Sequence, residues 1–234
     1  MKKAAIAILI VSAGFFLVRV TPYLRKPTGG FMAEYFAGKM LLTHQNMSLL
    51  YDTKYFEEIS RSGSGLPFGE NYTANTPVLP IVLLPFSVLP IGDAKMAWEI
   101  FSLLCLAIAL ALLYRHFGFG TLERIVMTAL VFGFTPLYMN FVWGQLYAFL
   151  FLLHVLILKF WASGKMGAAA ASIALLLAMK GYGTLFLVLA LMRRDLRLVA
   201  TTSLLFVLIV ALSSLLVGFE TWRVYGTQLG VFLF

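Results

Sequence analysis

The sequence predicts an all-α, polytopic helical membrane protein with about seven transmembrane helices and a large first extracytoplasmic loop that contains short interfacial helices. Hydrophobic residues make up 61% of the 234 residues and charged residues 12%, which leaves too little polar side chain to cover a soluble fold. Apolar runs of membrane-spanning length recur along the chain, with short basic clusters between them. The net charge of +8 is therefore typical of loops between spans, and no nucleic-acid partner is expected.

The first apolar run, residues 4–20, follows Met1-Lys2-Lys3 and predicts a first helix (1–20) whose N-terminus is cytoplasmic. A secretory signal peptide has the same order of features. However, Arg19 and Pro22 stand where a cleavage site needs small residues. We therefore expect an uncleaved helix in the cell membrane.

Residues 21–77 form a polar, aromatic-rich stretch that we expect to be the extracytoplasmic loop. Within it, residues 31–42 set polar side chains among aromatics and predict a helix at the membrane interface. Residues 51–59 predict a second short helix, and the Ser- and Gly-rich segment 60–65 predicts a flexible connector. The loop carries half of the ten acidic residues of the chain, namely Glu34, Asp52, Glu57, Glu58 and Glu70.

A helical bundle is expected over residues 78–217. Two of its regions are ambiguous: 77–91 is rich in proline and reads as a short, bent or re-entrant segment, and 166–192 is either one helix or two half-length helices broken near Lys180. The clear further spans are 96–114, 122–139, 144–161 and 198–217.

Two threadings of these spans are possible, and the basic residues distinguish them. If 77–91 fails to cross and 166–192 is a broken pair, half of the eighteen basic residues face the cytoplasm. If 77–91 crosses and 166–192 is one helix, that asymmetry weakens. We prefer the first threading. Both place residues 21–77 and the tail, 218–234, outside the cytoplasm.

Polar groups at membrane depth are the main candidates for chemistry. Lys180 is flanked by apolar stretches on both sides, so its charge must meet an anion, a carbonyl cluster or water. A lipid-linked phosphate and an internal acidic partner are both open alternatives. Asn140 and Gln145 offer neutral hydrogen-bonding groups suited to sugar hydroxyls or to capping a helix, beside Trp143 and Tyr147 as interface anchors.

Several classes of site have no support in the sequence. There is no Gly-rich nucleotide loop and no nucleophile elbow, and the three histidines lack metal-ligand spacing. We therefore expect no cofactor and no metal. The single cysteine, Cys105, excludes an intrachain disulfide framework.

The order of several short motifs resembles that of a known family. The motifs, in order, are Ala37-Gly38-Lys39, Leu50-Tyr51-Asp52, Asn71-Tyr72, Pro77, Pro80, Phe86, Leu89-Pro90, Trp98, Gly144-Gln145, Lys180 and Arg193-Arg194. With them the chain resembles the N-terminal half of the multi-spanning, polyprenol-phosphate-dependent glycosyltransferases of the C-type superfamily, in particular the family that contains bacterial alpha-1,2-mannosyltransferases of phosphatidylinositol mannosides.

This resemblance implies transfer of a sugar, in those relatives mannose, from a polyprenyl-phosphate donor to a lipid or glycan acceptor at the outer membrane face. An acidic residue of the first outer loop then acts as the general base that deprotonates the acceptor hydroxyl. Lys180 matches the family's lysine and supports the leaving phosphate. Gln145, Tyr72 and Asn140 are the further substrate-binding candidates.

The chain departs from the family at the base. Relatives commonly carry an aspartate just before the aromatic residue that begins the loop helix, where this chain has Gly30. Glu34 lies one helical turn onward on about the same face and is the first substitute. Asp52 is the second and Glu70 a weaker one.

Relatives also continue with more spans after residues 218–234, so we expect a truncated chain or one half of a split protein whose second chain supplies the remaining helices. The alternative functions are a non-catalytic subunit that binds lipid-linked sugars and a small transporter. No internal repeat supports the transporter, and Lys180 is the lone charge that the sequence places at membrane depth.

Overall fold

The computed structural model describes residues 1–73 and 75–233, with the backbone alone for 231–233, and this part of the chain contains helices and no strand. The order of the α-helices, interrupted by two short 3₁₀ helices (Thr21–Tyr23 and Met47–Tyr51), is α1 Lys2–Val20, α2 Gly29–Leu42, α3 Thr53–Ser64, α4 Leu79–Ser87, α5 Ile91–His116, α6 Thr121–Gly133, α7 Thr135–Trp143, α8 Tyr147–Ala162, α9 Met166–Lys180, α10 Thr184–Met192, α11 Leu196–Val217 and α12 Phe219–Leu233.

Among the described residues, three helices, α1, α5 and α11, are long and apolar enough to cross a membrane. A fourth span results if α6 and α7, which are bent by 55° at their junction, form one broken span. The sequence predicted a continuous helix over 122–139. The break arises because Pro136 has no backbone N–H and its ring would clash with the preceding turn. The predicted all-helical membrane fold is thus confirmed, and the number of seven crossings stays a prediction.

The two ambiguous regions both contain short helices. In 77–91, α4 has nine residues, a rise of about 14 Å, which is less than half the ~30 Å of the hydrocarbon core. The region 166–192 is broken, because α9 ends at Lys180 and Gly181 adopts a left-handed conformation with φ of +71°. The break in 166–192 is one of the two alternatives that the sequence left open, and α10, like α4, has nine residues. The choice between the two threadings therefore stays a prediction.

The outer loop is more tightly packed than the sequence suggested. The predicted interfacial helix is present as α2, but it is buried on nearly all sides instead of exposing a polar face. Its aromatic side chains lie in the core, and Tyr35 donates a hydrogen bond to Leu89 O at 2.9 Å, just beyond α4. The flexible connector at 60–65 is also wrong: α3 continues through Ser64, where serine hydroxyls such as that of Ser62 bond to carbonyls one turn back.

The main core joins the outer loop to the bundle. It combines α2 and α4 with the start of α5, with α8 and α9, and with α12, whose Tyr225 ring lies 5.6 Å from that of Tyr51. A second apolar cluster, centred on Phe16 and Phe141, packs α1 against α6 and α7. The N-terminus of α2, the α7–α8 turn and the C-terminus of α9 surround one end of this assembly.

Candidate functional site

A polar cavity of about 140 Å³ lies at that end of the assembly. Four segments that are distant in sequence form its wall: α2, the loop before α4, the α7–α8 turn and the C-terminus of α9. The charged and amide side chains that line it are Glu34, Glu70, Asn71, Asn75, Gln145 and Lys180. The cavity therefore brings together Glu34, Gln145 and Lys180, which the sequence predicts as site residues, and Glu70, the weaker candidate base.

Glu34 lies on the buried face of α2, and only 4% of its surface is exposed. Its Oε2 atom has no hydrogen-bond partner within the described part of the chain. Burial raises the pKa of this carboxyl from its ordinary value of 4.5 to about 8, against the opposing field of Lys180. A carboxyl with a free oxygen and a pKa close to the working pH has the properties of a general base.

Lys180 ends α9 and points into the same cavity, where its ammonium group donates a hydrogen bond to Asn75 Oδ1. The loop is attached to α9 a second time, because Thr76 donates to Met179 O at 3.3 Å. Among residues 1–73 and 75–233, no carboxylate lies within 4.0 Å of Lys180, although Glu34 is close enough to act on it electrostatically. An ammonium group has three donors, so Lys180 retains capacity for an anion.

The α7–α8 turn places Gln145 and Asn140 in different surroundings. Gln145 reaches the cavity wall, whereas Asn140 lies outside it and accepts a hydrogen bond from the Tyr147 N–H at 3.1 Å. Of the two roles left open for Asn140, the structure therefore shows the cap at the start of α8. Its Nδ2 atom lacks a partner within the described residues.

Gly30 forms part of the cavity wall, one turn from Glu34. A Cβ atom at this position would lie 3.0 Å from both Gln145 Cγ and Trp143 O. A side chain at position 30 would thus meet the side chain of Gln145. Position 30, where the family resemblance leads us to expect an aspartate, therefore lines the same cavity as Glu34.

Besides Asn140, two predicted site residues are not brought to the cavity. Asp52 is exposed and caps α3, accepting a hydrogen bond from the Tyr55 N–H at 3.1 Å. Tyr72 is buried, does not line the cavity, and donates to Thr76 O at 3.0 Å. Tyr72 therefore supports the loop that carries Asn71 and Asn75.

The sequence reasoning missed other polar residues that the structure brings into play. Asn71 and Asn75 line the cavity, and the signal for them was a pair of amides directly before the proline-rich run. Lys95 and Glu99 form a buried ion pair in α5, so Lys180 is not the lone charge in the bundle. Their i,i+4 spacing, which places two side chains on the same face of a helix, was the available signal.

A second cavity of about 480 Å³ adjoins the polar one, with Tyr147 in the wall of both. It lies between α5, α6, α7 and α8. Apart from Asn140 and Tyr147, it is lined by apolar side chains such as those of Leu106, Leu130 and Phe151. An amphipathic ligand could therefore place a polar head in one cavity and an apolar chain in the other.

Within the described residues, no group of three His, Cys, Asp or Glu side chains is placed to hold a metal ion.

The family model described as Glycosyltransferase family 87 matches residues 72–232, which is more than half of the chain. This range contains Gln145 and Lys180 and excludes Gly30 and Glu34. No curated protein and no solved structure matches the chain.

Proposed function

The chain belongs to glycosyltransferase family 87, and on this premise we propose that it is a multi-pass membrane glycosyltransferase, or the N-terminal module of one. It transfers a sugar from a polyprenyl-phosphate donor to a lipid or glycan acceptor at the outer membrane face, with its N-terminus in the cytoplasm. Mannose is the first sugar to test, because the motif order resembles that of mannosyltransferases. A second chain that supplies further helices belongs to the same proposal.

The observation that carries the proposal is the presence of Glu34 and Lys180 in one polar cavity. In the proposed reaction, the Glu34 carboxylate takes the proton of an acceptor hydroxyl as its oxygen bonds to the anomeric carbon. The bond from that carbon to the phosphate oxygen breaks, and its electron pair stays on the phosphate. The Lys180 ammonium group stabilises this leaving phosphate. The Gln145 and Asn71 amides hydrogen-bond to the sugar.

The adjoining apolar cavity supports a lipid-linked donor over a soluble one. A polyprenyl chain is wholly apolar, so transferring it from water to the apolar walls beside Tyr147 is favourable. The phosphate and sugar would then lie on the polar side of Tyr147, next to Lys180. In the same proposal, membrane lipids are partners that contact the apolar side of Tyr147.

The proposal is tested by sugar transfer in proteoliposomes. The purified protein is supplied with radiolabelled mannosyl or glucosyl polyprenyl phosphate and with a lipid extract as acceptor. We expect label to move from the donor into a new lipid or glycan product. Saturable donor binding without consumption of the donor, for every acceptor supplied, would contradict transfer.

That contradictory result is the one that the alternative function predicts. A non-catalytic subunit would bind lipid-linked sugars through Lys180 and Gln145 without turnover, and Gly30 at the expected base position favours it. Saturable uptake of a solute into the same proteoliposomes would instead support the transporter.

A further inference from the structure

A buried ion pair lies beside the polar cavity, in the first turns of α5. The side chains of Lys95 and Glu99 are in contact, with 0% and 3% of their surfaces exposed. Burying two charges is costly, and their mutual attraction often fails to offset that cost. The pair must therefore be understood through the further contacts that it makes.

These contacts are with the end of α7. Lys95 Nζ also donates a hydrogen bond to Phe141 O at 2.8 Å, in the last turn of that helix. Phe141 O also accepts a hydrogen bond from the Gly144 N–H at 3.3 Å, and carbonyls in the last turn of a helix carry partial negative charge, which a cation stabilises. One turn along α5, Trp98 Nε1 donates to Gly144 O at 3.0 Å. Two side chains of α5 thus hold the C-terminus of α7 and the residue that follows it.

The turn held in this way has little freedom to move. Gly144 adopts a left-handed conformation with φ of +66°. A Cβ atom there would lie 2.7 Å from Phe31 Cβ and 2.8 Å from Lys95 Cε, so the backbone is enclosed between α2 and α5. The next residue is Gln145, whose side chain reaches the cavity beside Gly30. The direction of Gln145 therefore depends on the contacts at Phe141 and Gly144.

We propose that Lys95, Trp98 and Glu99 are positioning residues that hold the α7–α8 turn so that the Gln145 amide faces the head group of the polyprenyl-phosphate donor. The inference rests on the proposed function, because the donor is the ligand of Gln145 only in that reaction. Lys95 and Trp98 act on the backbone of the turn, and Glu99 neutralises Lys95. None of the three lines the cavity.

The first test is Trp98→Phe, which removes the indole N–H but keeps an aromatic ring against Phe86 and Phe101. We expect the donor KM to rise about fivefold, the effect of one lost hydrogen bond, with kcat changed by less than about twofold. Binding of the sugar-bearing donor should weaken similarly, whereas binding of sugar-free undecaprenyl phosphate, which lacks the group that Gln145 contacts, should not change. The matched control is Trp222→Phe, which loses an indole hydrogen bond to Ser213 Oγ (3.1 Å) outside the cavity and should leave both constants unchanged.

A double-mutant cycle separates positioning from general damage. If Trp98 acts on donor binding only through the position of Gln145, then Trp98→Phe should have no further effect on donor KM in a Gln145→Ala protein. Glu99→Gln, which keeps the side-chain shape, should behave likewise and serves if Trp98→Phe does not fold. Additive effects, or an unchanged donor KM in the folded variants, would overturn the proposal. If the wild type binds glycosyl polyprenyl phosphate but transfers nothing, the proposed function fails, and the same cycle, run on binding of that sugar-bearing lipid, still decides whether Lys95, Trp98 and Glu99 position Gln145.

Discussion

Replacing Glu34 by Gln is expected to reduce sugar transfer by about 10²- to 10⁴-fold, the range that a general base contributes. The amide has nearly the same size and remains polar, but it cannot accept the proton of the acceptor hydroxyl. Because burial raises the pKa of Glu34, the carboxyl is largely protonated near neutral pH, so an amide should fit the same surroundings without unfolding the protein. The measurement is single-turnover transfer from a labelled donor in proteoliposomes.

The control for this variant is Asp52→Asn, at the other predicted base. Asp52 is exposed, and asparagine also serves as a helix N-cap, so neither the fold nor transfer should change. Transfer at the wild-type rate by Glu34→Gln would remove Glu34 as the base. A loss confined to Asp52→Asn would move that role to the exposed residue.

Replacing Lys180 by Met should lower transfer by about 10²- to 10³-fold, comparable to the loss of one group that stabilises a developing negative charge. Methionine keeps an apolar stem of similar length but lacks the ammonium group that would meet the leaving phosphate. We expect weaker binding of undecaprenyl phosphate as well. The pH profile should also move to higher pH, because the field of Lys180 lowers the pKa of Glu34 and its removal allows that pKa to rise further. Steady-state kinetics and lipid binding measure these effects.

Lys165→Met is the matched control, since Lys165 is exposed in the turn before α9 and should contribute to neither step. If the folded Lys180→Met protein binds and transfers the donor like the wild type, the role of Lys180 is the hydrogen bond to Asn75 that joins the loop to α9. That result would leave the leaving phosphate without its proposed cation.

Part of this site could be predicted from the sequence because its residues are unusual where they stand. Lys180 is a charge between apolar runs, and Gln145 is an amide at the end of one. Such residues need polar partners whatever the fold. The break in 166–192 was also one of the stated alternatives, because Gly181 permits the left-handed conformation that ends a helix. The all-helical class followed from composition.

The remainder depends on contacts between distant segments. Lys180 and Asn75 are bonded across 105 residues of sequence, and no local pattern records that pairing. The burial of α2 likewise depends on α4 lying against it: a Cβ atom on Gly38 would overlap the Ser87 hydroxyl. A mixture of polar and aromatic residues predicts an interfacial helix, because the sequence does not show which neighbour will cover it. The Lys95–Glu99 pair was not predicted, because the predicted span, 96–114, begins one residue after Lys95 and so separates it from Glu99.

The measurement that bears most directly on Glu34 as the base is the pH dependence of the single-turnover transfer rate. The carboxylate is the reactive form, and burial raises its pKa from 4.5 to about 8. The rate should therefore rise about tenfold per pH unit between pH 6 and 7.5 and level off above pH 8. A rate that is constant from pH 6 to 9, or that falls as pH rises, would contradict Glu34 as the base in this cavity.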